Sequence, residues 1–337
     1  MKKYLISSDK PQYRANLHSH SVLSDGHLTP EEMKKAYKDE GYSILCISDH
    51  EYPKDHSDIT EPDFLMLTGY EVYIRMSPDG KMHPYEPEVH LNLFAKEPHN
   101  EKYVCYDYPY AKYIRKTEGR LEGLTLVGEQ GARHYDVEYI NKFIKTAVDN
   151  GYMVAYNHPV WSLEDEASIL AYDNCFSLEI CNYGSYRSMA VEYCVALYHQ
   201  LLRHGKRMFC NAGDDNHNGN KMLTGSFGAW TMIMADKLDY ASVIEAMECG
   251  DMYSSTGPSI KEISFEDGTV HVECSEAAHI HMFNGGKKTK AVYAKEGEAL
   301  TSVDMELDEE APFFFVLVVD KNGGMATSRG YFRDELV

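Results

Sequence analysis

Short apolar stretches alternate with amphipathic helical patterns along most of the chain. Apolar runs of strand length are followed by segments whose apolar positions recur at helical spacing. Thr29-Pro-Glu-Glu carries a helix N-cap, a proline and first-turn acids, and Gly41 marks the end of that helix. The predicted strands are 15–17, 43–47, 64–68, 89–94, 152–156, 176–180, 207–211 and 227–234, and the predicted helices are 29–41, 136–150, 164–172, 186–204 and 240–249.

Strands that alternate with helices predict parallel pairing and an α/β fold. The number of these units, over about 250 residues, favours a TIM-like barrel over an open sheet. Residues 73–88 and 95–133 interrupt the pattern as excursions. The second excursion is polar and rich in tyrosine, which favours a lid packed on the barrel over a surface that stacks on a nucleoside base. We therefore predict a barrel domain over residues 1–260.

The pattern changes after Thr256 to short strands without helices. A hairpin is predicted over 262–274 with its turn at Asp267-Gly268, and further strands over 279–283 and 313–319. Such a series is typical of a β-sandwich, so we predict a small C-terminal β-sandwich domain over residues 261–337.

Composition limits the classes of partner. The net charge of −20 argues against binding of long nucleic acid, which depends on Lys and Arg. The two lysines at the amino terminus precede too few apolar residues for a signal-peptide core, and the longest apolar run, Phe313–Val319, is too short to cross a membrane. The eight cysteines include no Cys-x-x-Cys pair, which predicts free thiols and a cytoplasmic protein. The oligomeric state is not predicted by any of these features.

Histidines and carboxylates recur where predicted strands end. Imidazole nitrogen and carboxylate oxygen together suit divalent Zn, Mn or Fe. Nine such groups are too many for one ion, but they suit two or three ions that share bridging carboxylates, the arrangement used in phosphoryl chemistry. The set is His18, His20, Asp25, His50, Glu71, His90, His158, Asp215 and His217.

The order of the motifs resembles the PHP (polymerase and histidinol phosphatase) family. The matching motifs are His18-Ser-His20, Asp25-Gly26, Ser48-Asp49-His50, Gly69-Tyr-Glu71, His90, Asn157-His158-Pro159 and Asp215-Asn-His217. The resemblance covers roughly residues 12–260 and implies a distorted (β/α)7 barrel with a trinuclear site. It implies that one ion binds His18, His20, Glu71 and Asp215, that Glu71 bridges to a second ion on His90 and His158, and that Asp25, His50 and His217 bind the third.

Two features depart from the family pattern. Asp214 places an additional acid beside the site. The excursions lengthen the gaps around His90, so His83 and His99 are rivals for its role. Asp49 either orients a ligand imidazole or caps a helix.

Clustered divalent ions favour hydrolysis of a phosphate ester, because they neutralise its oxygens and lower the pKa of bound water. We expect a metal-bridging hydroxide as nucleophile, with Glu71 bridging and Asp25, His217 or His134 as proton donor. Arg133 and Arg187 are the candidate phosphate clamps, ahead of Lys221, although a surface salt bridge is an equal alternative for both arginines.

The sequence therefore predicts a hydrolase, a metal-dependent phosphoesterase that acts on a small phosphorylated metabolite or nucleotide. One alternative is a PHP-type nuclease that acts on DNA ends, against which the acidic composition argues. A second is a C–N metallohydrolase, whose usual metal-bridging lysine has no counterpart at a strand end. A third is a binding module that uses the barrel as a scaffold, which the complete ligand set disfavours.

Overall fold

The strands and helices of the chain come from a computed structural model, which describes residues 2–77 and 81–336. The middle of the predicted excursion 73–88, residues 78–80, lies outside this range. The strands are β1 (Lys3–Ile6), β2 (Gln12–Asn16), β3 (Ile44–Cys46), β4 (Leu65–Leu67), β5 (Gly69–Arg75), β6 (Glu88–Ala95), β7 (Lys102–Val104), β8 (Thr125–Val127), β9 (Tyr152–Tyr156), β10 (Cys175–Asn182), β11 (Phe209–Gly213), β12 (Trp230–Met234), β13 (Met252–Ser255), β14 (Ile260–Glu266), β15 (Thr269–Ala277), β16 (His279–Phe283), β17 (Lys290–Tyr293), β18 (Leu300–Glu306), β19 (Phe313–Val319), β20 (Met325–Ser328) and β21 (Tyr331–Phe332). The helices are α1 (Pro30–Asp39), α2 (Lys112–Arg115), α3 (Val137–Asp149), α4 (Glu166–Ala171), α5 (Tyr183–Met189), α6 (Val195–Arg203) and α7 (Tyr240–Cys249), with short 3-10 turns at Ser57–Ile59, Gly219–Lys221 and Arg333–Glu335.

The protein is a mixed α/β fold in which two sheets face each other. One sheet has the strand order β11-β10-β9-β6-β5, and the other runs β17-β16-β19-β20-β13-β12-β2-β3-β4, with β21 paired to β19. Apolar side chains from both sheets, including Ile44, Phe94 and Ala155, form a shared buried cluster that helix α7 completes with Val243. This cluster supports the ends of the strands at which the candidate ligands lie.

Parallel pairing is confirmed in only part of the two sheets. Strands β2, β3 and β4 pair in parallel, as do β9, β10 and β11. The prediction is wrong for β5–β6, β6–β9 and β2–β12, which are antiparallel. The physical reason is that antiparallel neighbours need no crossover helix, and no helix lies between β5 and β6 in the described residues.

The ladders in the described residues do not close into a barrel. Two isolated parallel bridges next to the candidate ligands, Ser19–Asn216 and His50–Glu71, join the segments after β2 and β3 to the chain at the two edge strands of the five-stranded sheet, β11 and β5. Gly213 permits this approach, because a Cβ atom there would lie 2.7 Å from the Cβ of His18. The seven-stranded barrel remains a prediction, and these bridges are the contacts that bear on it.

The helix predictions succeed where capping residues are clear. Helix α1 begins with a capping box in which Thr29 Oγ1 accepts from the Glu32 amide at 3.2 Å and Glu32 Oε2 accepts from the Thr29 amide at 2.9 Å. The predicted helix 186–204 is wrong, since two helices, α5 and α6, occupy this segment. Ala190, with φ of +59°, ends α5 in a left-handed conformation that periodicity alone does not reveal.

The excursion 95–133 is an ordered cap on the outer face of the five-stranded sheet. Its strands β7 and β8 form a two-stranded parallel sheet, and α2 lies between them. Tyr103, Val104 and Ile114 are buried in the same apolar cluster as β5 and β6. This packing agrees with the predicted lid.

The C-terminal strands form two layers around a separate apolar core. A sheet of order β1-β14-β15-β18 packs against β16 and β19 through buried residues that include Ile263, Val272 and Val316. Strand β1 pairs with β14, so the amino terminus belongs to this sheet. The sandwich description and the division at residue 260 remain predictions.

Two further sequence predictions concern the cysteines and membrane-spanning segments. All eight cysteines are free, and six of them are buried. Within the described residues, the model contains no helix that is both apolar enough and long enough to cross a membrane.

Candidate metal centre

The candidate ligands come from strand ends, loops and one hairpin. His18 and His20 follow β2, His50 follows β3, His158 follows β9, and Asp215 follows β11, as the sequence predicts. Glu71 and His90 instead lie within β5 and β6. Because these strands are antiparallel and Tyr73 pairs with His90, both side chains enter the same site from one hairpin. Asp25 comes from the loop before α1 and His217 from the loop after β11.

Glu71 is the centre of the site. Its carboxylate is 1% exposed, and imidazole nitrogens surround it on several sides. These nitrogens are His18 Nε2 at 3.3 Å, His20 Nε2 at 3.4 Å, His50 Nδ1 at 3.0 Å, His90 Nδ1 at 3.0 Å and His158 Nε2 at 3.2 Å. A carboxylate in this position can bridge ions bound to different histidines.

Four overlapping groups within residues 2–77 and 81–336 have the composition of metal sites. In each group, one ligand atom per residue lies within 4.8 Å of every other. The groups are His18, His20, Glu71 and Asp215; Glu71, His90 and His158; His20, Asp25, His50 and His217; and His18, His158 and Glu179. The structure thus brings all nine sequence-predicted ligand residues together. It places His20 in two groups, since its Nε2 lies 2.9 Å from Asp215 Oδ1.

Unpartnered buried atoms show that this donor set fits divalent ions. Six buried atoms of the site have no hydrogen-bond partner among the described residues: His18 Nε2, His20 Nδ1, Asp25 Oδ1, His50 Nδ1, Glu71 Oε2 and His90 Nε2. Burying such groups without a partner is costly, and coordination to a cation removes that cost. Nitrogen and oxygen donors in this number suit Zn, Mn or Fe.

Glu179 belongs to the site although the sequence analysis missed it. Its Oε1 accepts from His18 Nδ1 at 2.9 Å, and its Oε2 accepts from the His158 amide at 3.2 Å and from Asn182 Nδ2 at 3.0 Å. The bond to His18 orients the ring so that Nε2 is directed to Glu71. Despite its burial, the carboxylates Asp215, Glu179 and Glu71 raise the pKa of this imidazole, so an ion that binds Nε2 must displace a proton. The signal in the sequence was a charged residue in the middle of the apolar strand 176–180.

The charges of the site shift its pKa values in opposite directions. Burial alone would raise the pKa of Glu71, but His18, His90 and His50 hold it well below its usual range. Burial and the neighbouring His50 and His217 lower the pKa of His20 to about 4. That imidazole is therefore neutral at pH 7 and able to bind a cation. His90 beside Glu71 has a pKa raised to about 9 despite its burial, so an ion that binds there must displace a proton.

Some of the left-handed backbone conformations of the protein lie at the same place. Three non-glycine residues of the site region have left-handed backbones: His158 with φ of +24°, Asp215 with +49° and Glu51 with +59°. This conformation is uncommon for such residues and persists where the surrounding structure fixes it. The strain is consistent with side chains held in position for a site.

A cavity of about 530 Å³ opens onto the cluster. Seven candidate ligands line it, together with apolar and cationic side chains from the hairpin and the cap. The lining consists of Asp25, His50, Glu71, Tyr73, Arg75, Lys81, Met82, His90, Pro109, Lys112, His158, Trp161, Asp215 and His217. Arg75, Lys81 and Lys112 were missed by the sequence analysis, because nothing in their local sequence distinguishes them from surface cations.

The predicted phosphate clamps lie elsewhere. Arg133 is buried, and its guanidinium contacts both Glu51 oxygens, at 2.6 and 2.8 Å, and the Tyr73 carbonyl at 2.7 Å. It is therefore neither a clamp nor a surface salt bridge, because its donors are used inside the protein. Glu51 also accepts from Tyr103 Oη at 2.8 Å, so this pair fastens the cap to the site.

Three further predicted substrate contacts do not reach the cavity. Arg187 is exposed on α5, and its Cζ atom lies 5.9 Å from the centroid of the Tyr183 ring. His134 is exposed and packs against Tyr139, and Lys221 pairs with Glu32 at the surface. None of them lines the cavity. Sequence position near a strand end did not predict which way these side chains would face.

Two buried acids next to the ligand motifs have structural partners. Asp49 accepts from the Ser21 amide at 2.8 Å and Ser21 Oγ at 2.6 Å, and it also binds Ser24. It holds the loop after His20, and neither orients an imidazole nor caps a helix. Asp214 accepts from Tyr37 Oη and from the amides of residues 227–229, so it is not an additional acid of the site.

The rivals of His90 lie outside the cluster. His99 is exposed and its Nδ1 lies 2.6 Å from Asp55 Oδ2, and His83 is exposed on the hairpin loop. His90 itself is 3% exposed and contacts Glu71. Both the geometry and the order of the motifs therefore favour His90 as the ligand, over His83 and His99.

The comparisons with known proteins agree with the motif order. The model of the PHP domain family matches residues 16–123, a segment that carries His18, His20, Asp25, His50, Glu71 and His90. The PHP resemblance is thereby confirmed over residues 16–123. No curated protein matches the chain.

Solved structures with a similar arrangement include three bacterial proteins. A two-domain protein from Bacteroides vulgatus ATCC 8482, containing a predicted PHP-like metal-dependent phosphoesterase, has 12% identity and a TM-score of 0.45, covering 98% of this chain and 89% of that one. A protein from Bifidobacterium adolescentis ATCC 15703, named as a candidate metal-dependent phosphoesterase, has 17% identity and a TM-score of 0.38, covering 62% and 89%. An amidohydrolase from Chromobacterium violaceum, with bound sulfate and no metal, has 16% identity and a TM-score of 0.40, covering 60% and 87%. Likeness at this level does not identify an activity.

Proposed function

We propose that the protein is a metal-dependent phosphoesterase that hydrolyses the phosphate ester of a small metabolite or nucleotide. The observation that carries the proposal is the set of overlapping histidine–carboxylate groups that share Glu71 and open onto one cavity. The PHP family match over residues 16–123 supports it. We further propose that two or three divalent ions, of Mn, Zn or Fe, occupy these groups, and that the strands around them form the distorted (β/α)7 barrel.

When bound, such ions neutralise phosphoryl oxygens and lower the pKa of water, which are the two requirements of ester hydrolysis. Glu71 and Asp215 each belong to a group centred on His18 and His20, so these carboxylates would hold the site together. Asp25 and His217 lie at the rim, where His217 Nε2 is 3.4 Å from Asp25 Oδ1 and both side chains are partly exposed. They are placed to hold or transfer a proton at the leaving oxygen.

The cavity limits the class of substrate. Its volume of about 530 Å³ suits a small molecule. The net charge of −20 continues to argue against a nuclease that binds long DNA. A small phosphorylated compound therefore fits the site better than a polymer.

The test begins with the bound metal. Protein purified without chelator should contain Mn, Zn or Fe by elemental analysis and should hydrolyse members of a panel of phosphorylated metabolites when Mn²⁺ is added. Asp215→Asn and His20→Ala should each lower kcat/KM by several orders of magnitude, because each removes a ligand of the group that also contains His18 and Glu71. His99→Ala, which removes an exposed histidine outside the site, is the matched control. Turnover of an amide or lactone, with every phosphoester inert, would overturn the proposal.

A further inference from the structure

The cap contributes a cation to the cavity wall. Lys112, the first residue of α2, lines the cavity that opens onto the histidine–carboxylate cluster. Among the described residues, no carboxylate lies within salt-bridge distance of its amine, and its recorded contact is the Tyr113 ring, with Nζ 4.5 Å from the centroid. A cation directed at a cavity without a carboxylate partner is available to an anionic ligand.

A second cation shares this wall. Arg75 lines the same cavity from the end of β5, stacks over the Tyr73 ring at 4.1 Å and donates through Nε to Glu88. Desolvation and the nearby Arg75 lower the pKa of Lys112, while Asp25 opposes this shift. Two cations on one wall repel each other, and a bound anion relieves that repulsion.

Tyr113, the residue after Lys112, connects this wall of the cavity to the candidate metal centre. Tyr113 donates its hydroxyl to Asp25 Oδ2 at 2.8 Å, and its ring lies parallel to that of His50, with 6.1 Å between centroids. The position of α2 is thereby fixed relative to two candidate ligands, which places Lys112 over the mouth of the site. The cavity is thus lined both by candidate metal ligands and by cations.

We propose that Lys112 and Arg75 form an anion-binding subsite that contacts phosphate or carboxylate oxygens of the substrate. The inference deepens the proposed function and rests on it for the reaction, although anion binding itself requires no turnover. The oxygens belong either to the reacting phosphoryl group or to a second acidic group of the same substrate. Both groups present the same anionic oxygens, and a comparison of the kinetics of two substrates separates them.

The first experiment measures binding alone, with inorganic phosphate as the probe. Calorimetric titration of phosphate into the metal-loaded protein should give a dissociation constant that increases about tenfold or more in Lys112→Met, because a charge-assisted contact is lost. Lys116→Met is the matched control. Lys116 lies over the same Tyr113 ring at 4.5 Å but does not line the cavity, so its loss should leave phosphate affinity unchanged.

The second experiment compares two substrates. If the reacting phosphoryl group is the anion, Lys112→Met raises KM or lowers kcat equally for p-nitrophenyl phosphate and for a hexose bisphosphate. If a second acidic group is the anion, only the bisphosphate is affected. The inference is overturned if Lys112→Met matches Lys116→Met and wild type in phosphate affinity and in both substrates. Absence of any phosphoester turnover by wild type would refute the proposed function instead, and the phosphate titration would still decide the subsite.

Discussion

Glu179 acts on the candidate metal centre through another side chain. It accepts from His18 Nδ1, so Nε2 is the nitrogen of that ring that faces Glu71 and that an ion would bind. Its second oxygen faces two donors, the His158 amide and Asn182 Nδ2. A carboxylate satisfies all three donors, whereas an amide cannot.

We therefore expect Glu179→Gln to weaken ion binding by about tenfold to a hundredfold, the usual cost of losing a partner behind a ligand. The measurement is calorimetric titration of metal-free protein with Zn²⁺ or Mn²⁺. Glu262→Gln, which removes a carboxylate paired with Lys2 in the C-terminal sheet, should bind ions like wild type. Unchanged affinity in Glu179→Gln would show that His18 is oriented by other contacts.

The buried pair of Arg133 and Glu51 gives the second prediction at this scale. Arg133→Met leaves Glu51 buried without its cation, and the expected loss is on the order of 3–5 kcal/mol in the free energy of unfolding. Urea denaturation measures this value. The double variant with Glu51→Gln should recover part of the loss, because no unpaired charge remains. A single variant within about 1 kcal/mol of wild type would contradict the assignment of this pair as the anchor of the cap.

At the scale of elements, α4 and its preceding loop depend on one buried acid. Glu164 accepts hydrogen bonds from Tyr135, Tyr156 and Tyr172, and its burial raises its pKa above the usual value of 4.5. The folded protein therefore holds this proton more tightly than the unfolded chain. The contribution of Glu164 to stability is then greatest below pH 4.5 and falls as the pH rises through the folded pKa.

Glu164→Gln should remove this dependence, because glutamine keeps an acceptor and does not titrate. We expect the wild-type free energy of unfolding to decline relative to that of the variant as the pH rises from about 4 to 7. Urea denaturation at several pH values measures the difference. Parallel curves for the two proteins would mean that Glu164 has the same pKa in both states.

The elements of the cap and hairpin show what local patterns leave open. The pattern of 186–204 indicated one helix. The helix is instead interrupted between α5 and α6, where Glu192 accepts hydrogen bonds from the amides of Val160 and Trp161. The segment between β5 and β6 contains the turn sequence Ser77-Pro-Asp-Gly80, but the sequence analysis assigned this segment to an excursion and therefore did not predict the antiparallel pairing or the inward direction of Arg75. In each case a contact between distant segments overrides the local preference.

At the scale of the whole molecule, the metal centre connects both sheets. Its residues come from the loops after β2, β3, β9 and β11 and from the β5–β6 hairpin, so ions bound there would link segments between residues 18 and 217. A ligand that binds only the folded state stabilises it in proportion to the logarithm of its concentration over the dissociation constant.

Removal of the ions should therefore lower the melting temperature by several degrees, since saturation at a hundredfold over the dissociation constant contributes about 2.7 kcal/mol. Differential scanning calorimetry before and after chelation, and again after Mn²⁺ is restored, measures the shift. Asp215→Asn should show a smaller shift than His99→Ala, which keeps the whole site. A melting temperature that is unchanged by chelator and by every added ion would argue against ions bound within the cluster.

The sequence by itself determined the elements with strong local signals and the identity of the ligand set. Capping residues located α1 and α7, a compact turn located the β14–β15 hairpin, and ligand types recurring after apolar strands identified the residues now seen around Glu71. Only the tertiary structure decided which side chains face the cavity. Arg133 turned inward to Glu51, Lys112 turned to the cavity wall and Glu179 came behind His18, because these directions depend on charges and spaces supplied by segments far away in the chain.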